Sequence, residues 1–352
     1  MMIKLYIRSA SAISPQQTFG NGPFLAETIT YNTPRLTAIE PDYKPFLDPK
    51  LSRRMSRVIK LGVAAAKDSL SQANVAMPDA IITGTAYGCV EDTTVFLTRI
   101  IEQEEEMLPP TAFIQSTHNT VAAQIALMLQ CHAYNNTFVH KSFSFESALM
   151  DAAMLFAENE ASNILVGGID EINDANYTIF NRFDTYKKGN FTNTDLYSFN
   201  SPGTIAGEGA TFFVLSNDAS NNDVGCLEAF QTFYKPVNIE EAILGFLKAN
   251  AVQLDDIDLI LSGRNGDAPS DASLVQLESG LLKNNQIAHY KHLCGEYPTS
   301  SSFALWLAAH IVKNGEVPSI LNINDNKAPV KRVLICTHYQ NKYWSLMLVS
   351  GC

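Results

Sequence analysis

Ser142 has the setting in which a side chain could do chemistry. The run Thr137-Phe138-Val139 reads as a strand. Ser144 to Ala157 reads as a helix, because Phe145, Ala148, Leu149, Ala152, Ala153 and Phe156 recur at helical spacing on one apolar face. His140-Lys141-Ser142 is then a strand-to-helix turn that places Ser142 near a positive helix end. Such a turn exposes a nucleophile and stabilises its charged form. His118 and His140 sit near helix starts, where a lone histidine is more often a structural donor than a base. The loop Gly84-Thr85-Ala86-Tyr87-Gly88 has neither the dinucleotide-binding glycine pattern nor the P-loop lysine, so it reads as a tight turn and not a phosphate cradle. The cysteines Cys89, Cys131, Cys226, Cys294, Cys336 and Cys352 contain no C-x-x-C pair. Their scatter argues against a zinc site or a disulfide framework and predicts reduced, buried thiols of a cytoplasmic protein. No metal and no cofactor are expected.

The elements that must position Ser142 recur twice along the chain. A helical stretch from Ser52 to Ala73 leads into the strand Ala80-Ile81-Ile82-Thr83 and a glycine loop. In the second half a helix from Ile239 to Ala251 leads into Asp258-Leu259-Ile260-Leu261-Ser262, which ends in Gly263-Arg264-Asn265-Gly266. Each half then offers a hydroxyl-rich helix start, Ser116-Thr117-His118-Asn119 in one and Thr299-Ser300-Ser301-Ser302 in the other. Alternating strands and helices imply α/β layers with buried sheets. The Asn, Asp and Ser cluster between Ser216 and Val224 divides the chain into residues 1–220 and 221–352. The acidic run from Glu102 to Glu106 reads as a solvated helical face.

Composition narrows the functional classes. Of 352 residues, 46% are hydrophobic and 17% charged, a globular mix. The net charge of −11 argues against a nucleic-acid footprint and leaves nothing to attract anionic lipid. No apolar run reaches the roughly 20 residues that span a bilayer, and the start Met1-Met2-Ile3-Lys4-Leu5-Tyr6-Ile7 lacks a signal-peptide core. The chain reads as soluble and cytoplasmic, with neither nucleic acid nor membrane as a partner.

Several segments, in order, resemble the β-ketoacyl-acyl-carrier-protein synthases. Arg54-Met55-Ser56-Arg57 and Val63-Ala64-Ala65-Ala66-Lys67 resemble that family's first long helix. Ala122-Ala123-Gln124-Ile125-Ala126, Val166-Gly167-Gly168-Ile169-Asp170-Glu171 and, most sharply, Gly207-Glu208-Gly209-Ala210 before the strand Phe212-Phe213-Val214-Leu215 continue the match. The resemblance implies a thiolase-like fold, five α/β/α/β/α layers built from two duplicated halves. It also implies a catalytic set of one cysteine and two histidines, and here the chain departs. Family spacing from Gly167-Gly168 places Ser142 at the cysteine, and Arg264 stands in the loop of the first histidine, within about one residue of register. In Lys291-His292-Leu293-Cys294-Gly295-Glu296 the family's lysine and glycine remain, while Glu296 takes the second histidine's place. His338-Tyr339-Gln340-Asn341 replaces the glycine-rich gate loop.

Those changes bear on the reaction. Decarboxylative condensation needs a thiolate to carry the acyl chain and neutral donors where enolate charge develops. A serine is far less ionised than a thiol, and with no histidine in a matching position Ser142 reads as a capping or turn serine. An ionised Glu296 would oppose the developing charge, and Lys291 is placed to form a salt bridge with it. Ser142, Arg264, Glu296 and Lys291 are therefore degenerate family positions. The chain resembles chain-length factors, nucleophile-less relatives that pair with an active ketosynthase, and Ser144-Phe145-Glu146-Ser147-Ala148-Leu149 resembles relatives from aryl-polyene and flexirubin-type pathways. The resemblance implies chain elongation of fatty-acid or polyketide type, an active ketosynthase and an acyl carrier protein as partners, and self-pairing when the ketosynthase is missing. Two alternatives stay open: an active synthase with an unconventional site, and a non-enzymatic acyl- or carrier-binding module.

Overall fold

Two sets of five strands repeat one another in the computed structural model, which describes residues 4–20, 24–321 and 329–352. The first set is β1 (Leu5–Ile13), β2 (Ala80–Gly84), β3 (Tyr134–Phe138), β4 (Asn163–Asp170) and β5 (Gly209–Ser216). The second is β6 (Gly225–Tyr234), β7 (Leu259–Ser262), β8 (Ile287–His289), β9 (Arg332–Tyr339) and β10 (Tyr343–Ser350). Their spatial order is β3-β2-β4-β5-β1-β6-β10-β9-β7-β8. Read from its outer edge, the second set repeats the first strand for strand. The hydrogen-bond senses repeat too: β2 is parallel to β3 and β4, and β5 is antiparallel to β4 and β1. In the same way β7 is parallel to β8 and β9, and β10 is antiparallel to β9 and β6.

The duplicated halves implied by the resemblance are present, with one difference in how the sheets meet. Leu5, Tyr6 and Ile7 pair antiparallel with Leu227, Cys226 and Gly225. The two five-stranded sheets are therefore joined edge to edge through β1 and β6.

Burial defines five layers. The central core packs the helices Ser144–Ala157 and Ser301–Asn314 between the inner faces of both sheets, with Phe145, Phe156, Phe213, Phe303 and Met347 buried there. On the outer face of the first sheet, Val58, Ile59 and Val63 of the helix Arg57–Gln72 and Ile125 of Thr120–Leu129 cover Ile81, Leu165 and Phe212. On the outer face of the second, Ile243 and Phe246 of Ile239–Ala249 and Leu274 and Leu277 of Ala268–Ser279 cover Ile260, Leu334 and Trp344. Strands covered on both faces need unbroken burial, and β4 and β5 have it along almost their whole length. Each fully buried Phe contributes about 1.5–3 kcal/mol.

Three local expectations change. The stretch expected to be one helix from Ser52 breaks into a turn Pro49–Ser52, capped by Asp48, and the helix Arg57–Gln72. The acidic run leaves its helix, which ends at Glu102; Glu104 and Glu105 have φ of 50° and 68°. The hydroxyl-rich starts are not counterparts either. By strand order the helix after Thr299–Ser300 matches Ser144–Ala157, so shared serine content pointed to the wrong pair. Among the described residues no helix is long and apolar enough to cross a membrane.

Candidate functional site

Ser142 lies where the sequence places it, in a short 3-10 turn (Lys141–Phe143) between β3 and the central helix Ser144–Ala157. Ser144 ties this turn down: its Oγ donates to the Lys141 carbonyl (2.6 Å) and accepts from the His140 amide (2.8 Å). Lys141 takes φ +51°, a left-handed backbone that costs a branched-chain or long side chain some strain. The strand-to-helix turn expected at Ser142 is thus present. Gly84 permits it, because a Cβ there would lie 2.4 Å from the Ser144 carbonyl. Yet Ser142 Oγ is buried and has no hydrogen-bond partner, and His140 turns its Nδ1 to Ser147 (3.3 Å).

Lys291 and Glu296 come together beside it. Lys291 Nζ donates to Glu296 Oε1 at 2.7 Å and also to Ser300 Oγ, with both charged side chains buried. Burial opposes the Lys291 charge, but the adjacent Glu296 carboxylate outweighs it and holds the ammonium above its ordinary range. Arg264, by contrast, is not brought to this cluster. Its Nη1 bonds Glu278 Oε2 at 3.0 Å, and Glu278 also accepts from Ser262 (2.6 Å) and meets His289 Nε2 (3.0 Å). The loop residue that reaches the cluster is Asn265, whose Nδ2 donates to Glu296 Oε2 at 2.7 Å. The one-residue shift has a cause: the carboxylate of Asp271 receives the Asn265 and Gly266 amides (3.0 and 2.8 Å), which fixes the loop and turns Asn265 inward.

The space around Ser142 is small, and Phe143 and Glu146 separate it from a neighbouring cavity of about 220 Å³ that they also line. The cavity Ser142 lines with Phe143, Glu146, Glu296, Ser301 and Ser345 holds about 10 Å³, the room of a single water. Glu146, one helical turn beyond Ser142, projects its carboxyl into this space, and burial pushes it up to about 7. A second cavity of about 220 Å³, lined by Tyr87, Phe180, Tyr186, Asn265 and Asp267, shares only Glu296 and Tyr339 with the first. Tyr87 and Tyr339 meet there hydroxyl to hydroxyl at 3.3 Å. Residues 338–341 form the end of β9 and a tight hairpin turn, with Gln340 and Asn341 both left-handed (φ 54° and 50°).

Two buried carboxylates that the sequence reading did not single out hold the frame. Asp170 accepts from the Ala86 and Tyr87 amides (2.8 and 2.9 Å) and Thr85 Oγ1 (3.0 Å) with one oxygen, and from Thr299 Oγ1 (2.8 Å) with the other. The glycine loop at 84–88 therefore does bind an anion, but an internal one that fastens the two halves together. Glu208, in the sharpest motif, accepts from the Ala38 amide (2.8 Å), Arg57 (2.7 Å) and the Ile172 amide (3.1 Å). Among the described residues no group of His, Cys, Asp or Glu is arranged to hold a metal ion. Five cysteines are buried and free, and Cys352 is exposed.

Residues 32–187 match the family described as beta-ketoacyl synthase, N-terminal domain. Over its whole length the chain is similar to the ishigamide ketosynthase/chain length factor, at 14% identity, TM-score 0.77 and full coverage of both chains. It is similar to a ketosynthase in complex with its chain length factor from Xenorhabdus doucetiae, at 13% identity and TM-score 0.76, over 99% of this chain and 98% of that one. A complex of a type II polyketide acyl-carrier protein with its ketosynthase matches at 11% identity, TM-score 0.77 and full coverage of both chains. At these identities the likeness is one of fold. No curated protein matches the sequence.

Proposed function

For a chain of ketosynthase fold whose residues 32–187 match the ketosynthase N-terminal family, we propose the role of a chain-length factor: a subunit that pairs with an active β-ketoacyl synthase and shapes its elongation chamber without condensing. One observation carries this reading. The chamber at Ser142 holds about 10 Å³ and is lined by the carboxyl groups of Glu146 and Glu296. An acyl thioester does not fit there, and Glu296, which accepts from Lys291 and Asn265, offers no donor where condensation develops enolate charge. Loss of one oxyanion donor typically costs about 2.7–4 kcal/mol of transition-state stabilisation.

The surface supports a partner. β3 ends the ten-stranded sheet with one side unpaired, and an exposed strand edge is a template for another chain. Leu127, Tyr134, Val139, Met150 and Met154 leave large apolar groups exposed on and around that edge. A cavity of about 220 Å³, lined by His140, Phe143, Met150, Phe230 and Thr232, lies next to the turn that follows β3. In this reading those side chains form part of the wall of the partner's acyl tunnel. An acyl carrier protein delivers the chain to the partner's nucleophile, and the surroundings are those of polyketide, aryl-polyene or fatty-acid elongation in the cytoplasm.

Co-expression with each intact ketosynthase of the same genome, followed by pull-down and size-exclusion chromatography, tests the assembly. One ketosynthase is expected to co-elute with this chain, and Val139→Lys is expected to release it while far-UV circular dichroism stays unchanged. Separate elution of every ketosynthase would remove the proposal's support. A complex that survives Val139→Lys would move the contact away from β3.

A further inference from the structure

In the helical hairpin of Val90–Glu102 and Pro110–Gln115, the first helix has thirteen residues and none of them is buried. Phe96 packs on Phe113 of the second helix, with ring centroids 5.2 Å apart, and so holds the hairpin together. Leu97 and Ile101, four residues apart and therefore on one helix face, are 53% and 79% exposed. Met107 in the connection (95%) and Phe113 and Ile114 on the second helix (56% and 63%) extend this surface. Single exposed apolar side chains are ordinary, whereas a cluster of five on one hairpin marks a contact surface. Its rim carries one sign of charge. Glu102, Glu104, Glu105 and Glu106 lie exposed between Ile101 and Met107. Residues 90–115 hold six acids against the single base Arg99.

Within the chain-length-factor reading, on which this inference rests, we propose that the hairpin is a second contact surface for the ketosynthase partner. It selects a partner whose matching face is apolar at its centre and ringed by lysine and arginine. Charge chooses among the occupants. Four glutamates at the tip would repel a lipid surface with anionic headgroups. A second copy would bring the same acidic tip to a two-fold contact. Its Arg54, whose carbonyl accepts from Gln115 Nε2, lies at the opposite end of the hairpin. A basic-rimmed protein suits both features, because it covers the apolar groups and pairs with the carboxylates. Rim charges of this kind act on the rate of encounter and the choice of partner more than on total affinity. The surface also runs on toward the β3 edge. The helix Thr120–Leu129 follows the hairpin, its Ala122 carbonyl accepts from Asn135 Nδ2 of β3 (3.1 Å), and its Leu127 is exposed.

The test measures association and dissociation rates between the full chain and its co-eluting ketosynthase. Three proteins are compared: the wild type, Ile101→Asp, and the triple variant Glu104→Lys, Glu105→Lys, Glu106→Lys. All four substituted positions are exposed, so far-UV circular dichroism should not change. Ile101→Asp is expected to weaken the pair by about tenfold or more. The triple variant is expected to associate about tenfold more slowly at about 0.05 M salt and to match the wild type at about 1 M, where the screening length is about 3 Å. A pair that tolerates both variants but is released by Val139→Lys overturns the hairpin contact and leaves the chain-length-factor reading standing. No complex with any ketosynthase overturns both. Self-association of the chain that Ile101→Asp abolishes, with ketosynthase binding unchanged, would overturn the assignment in favour of a second copy. Sedimentation with phosphatidylcholine vesicles that is lost in the same variant, again with ketosynthase binding unchanged, would overturn it in favour of lipid.

Discussion

At the scale of single residues, the proposed role rests on a strand-to-helix turn whose serine has no hydrogen-bond partner. Lys141 bends the backbone into the left-handed region ahead of Ser142, and the polar groups that share the cavity with Ser142 are carboxyls, hydroxyls and the buried imidazole of His338, with no hydrogen bond from any of them to Ser142 Oγ. Restoring only the thiol should therefore not restore condensation. In Ser142→Cys, mass spectrometry should detect at most slow acyl loading, and malonyl-carrier protein should yield no elongated product; elongation by this variant alone would mean that the active site lies elsewhere. Glu146 makes a separate prediction about pH. Burial raises it from an ordinary 4.5 to about 7. Between these values the folded chain holds a proton that the unfolded chain has lost, so stability falls as pH rises through that window and is level above it. A shift of this size corresponds to roughly 3 kcal/mol. Glu171, pushed up to about 8 by burial, adds a slope of the same sign. Urea titrations from pH 4 to pH 9 should show a shallower decline for Glu146→Gln than for the wild type, and parallel curves would contradict the buried acid.

At the scale of elements, Gly207 and Gly295, near Glu296, serve the frame. Gly207, ahead of β5, and Gly295, after Lys291, pack back to back, and a Cβ on Gly207 would lie 2.0 Å from the Cys294 carbonyl oxygen. Gly295 itself sits at φ +72°. This contact locks the first half to the segment that carries Lys291 and Glu296, through Glu296 N to Ile205 O at 2.7 Å. Gly207→Ala should lower unfolding stability by about 3 kcal/mol or more, read from its urea midpoint; an unchanged midpoint would show that the two segments separate at little cost. These elements also mark what was legible beforehand. The central helix was readable to its last residue because six apolar side chains repeat at its period, and the Gly-Glu-Gly motif stood out because close backbone contact admits no other residue. Side-chain direction was not legible. Arg264 and Asn265 are neighbours, and only the amides gathered by Asp271 decide which one meets Glu296. Glu146 was hidden for a similar reason, since an acid in the first turn of a helix usually faces water and the dipole. Its surroundings include Ser301 and Ser345, roughly 150 and 200 residues away in sequence.

At the scale of the whole molecule, duplication gives the two halves contacts that do not depend on Ser142. Asp170, the Gly207–Gly295 contact and the β1–β6 pairing all join the halves without using the side chains of Ser142, Arg264, Glu296 or Lys291. The fold therefore does not need those side chains, and the proposed role uses instead the unpaired β3 edge with its apolar surroundings and the cavity beside it. The proposal of a subunit that acts through a neighbour rests on these features. Reconstituted condensation tests this most directly: the purified chain, its co-eluting ketosynthase and malonyl- and acyl-carrier proteins are assayed singly and together, with product length read by mass spectrometry. The account predicts no elongated product from this chain alone, product from the pair, and a changed length distribution when Met150 or Phe230 in the chain is enlarged to Trp. Efficient elongation by this chain without a ketosynthase would contradict it.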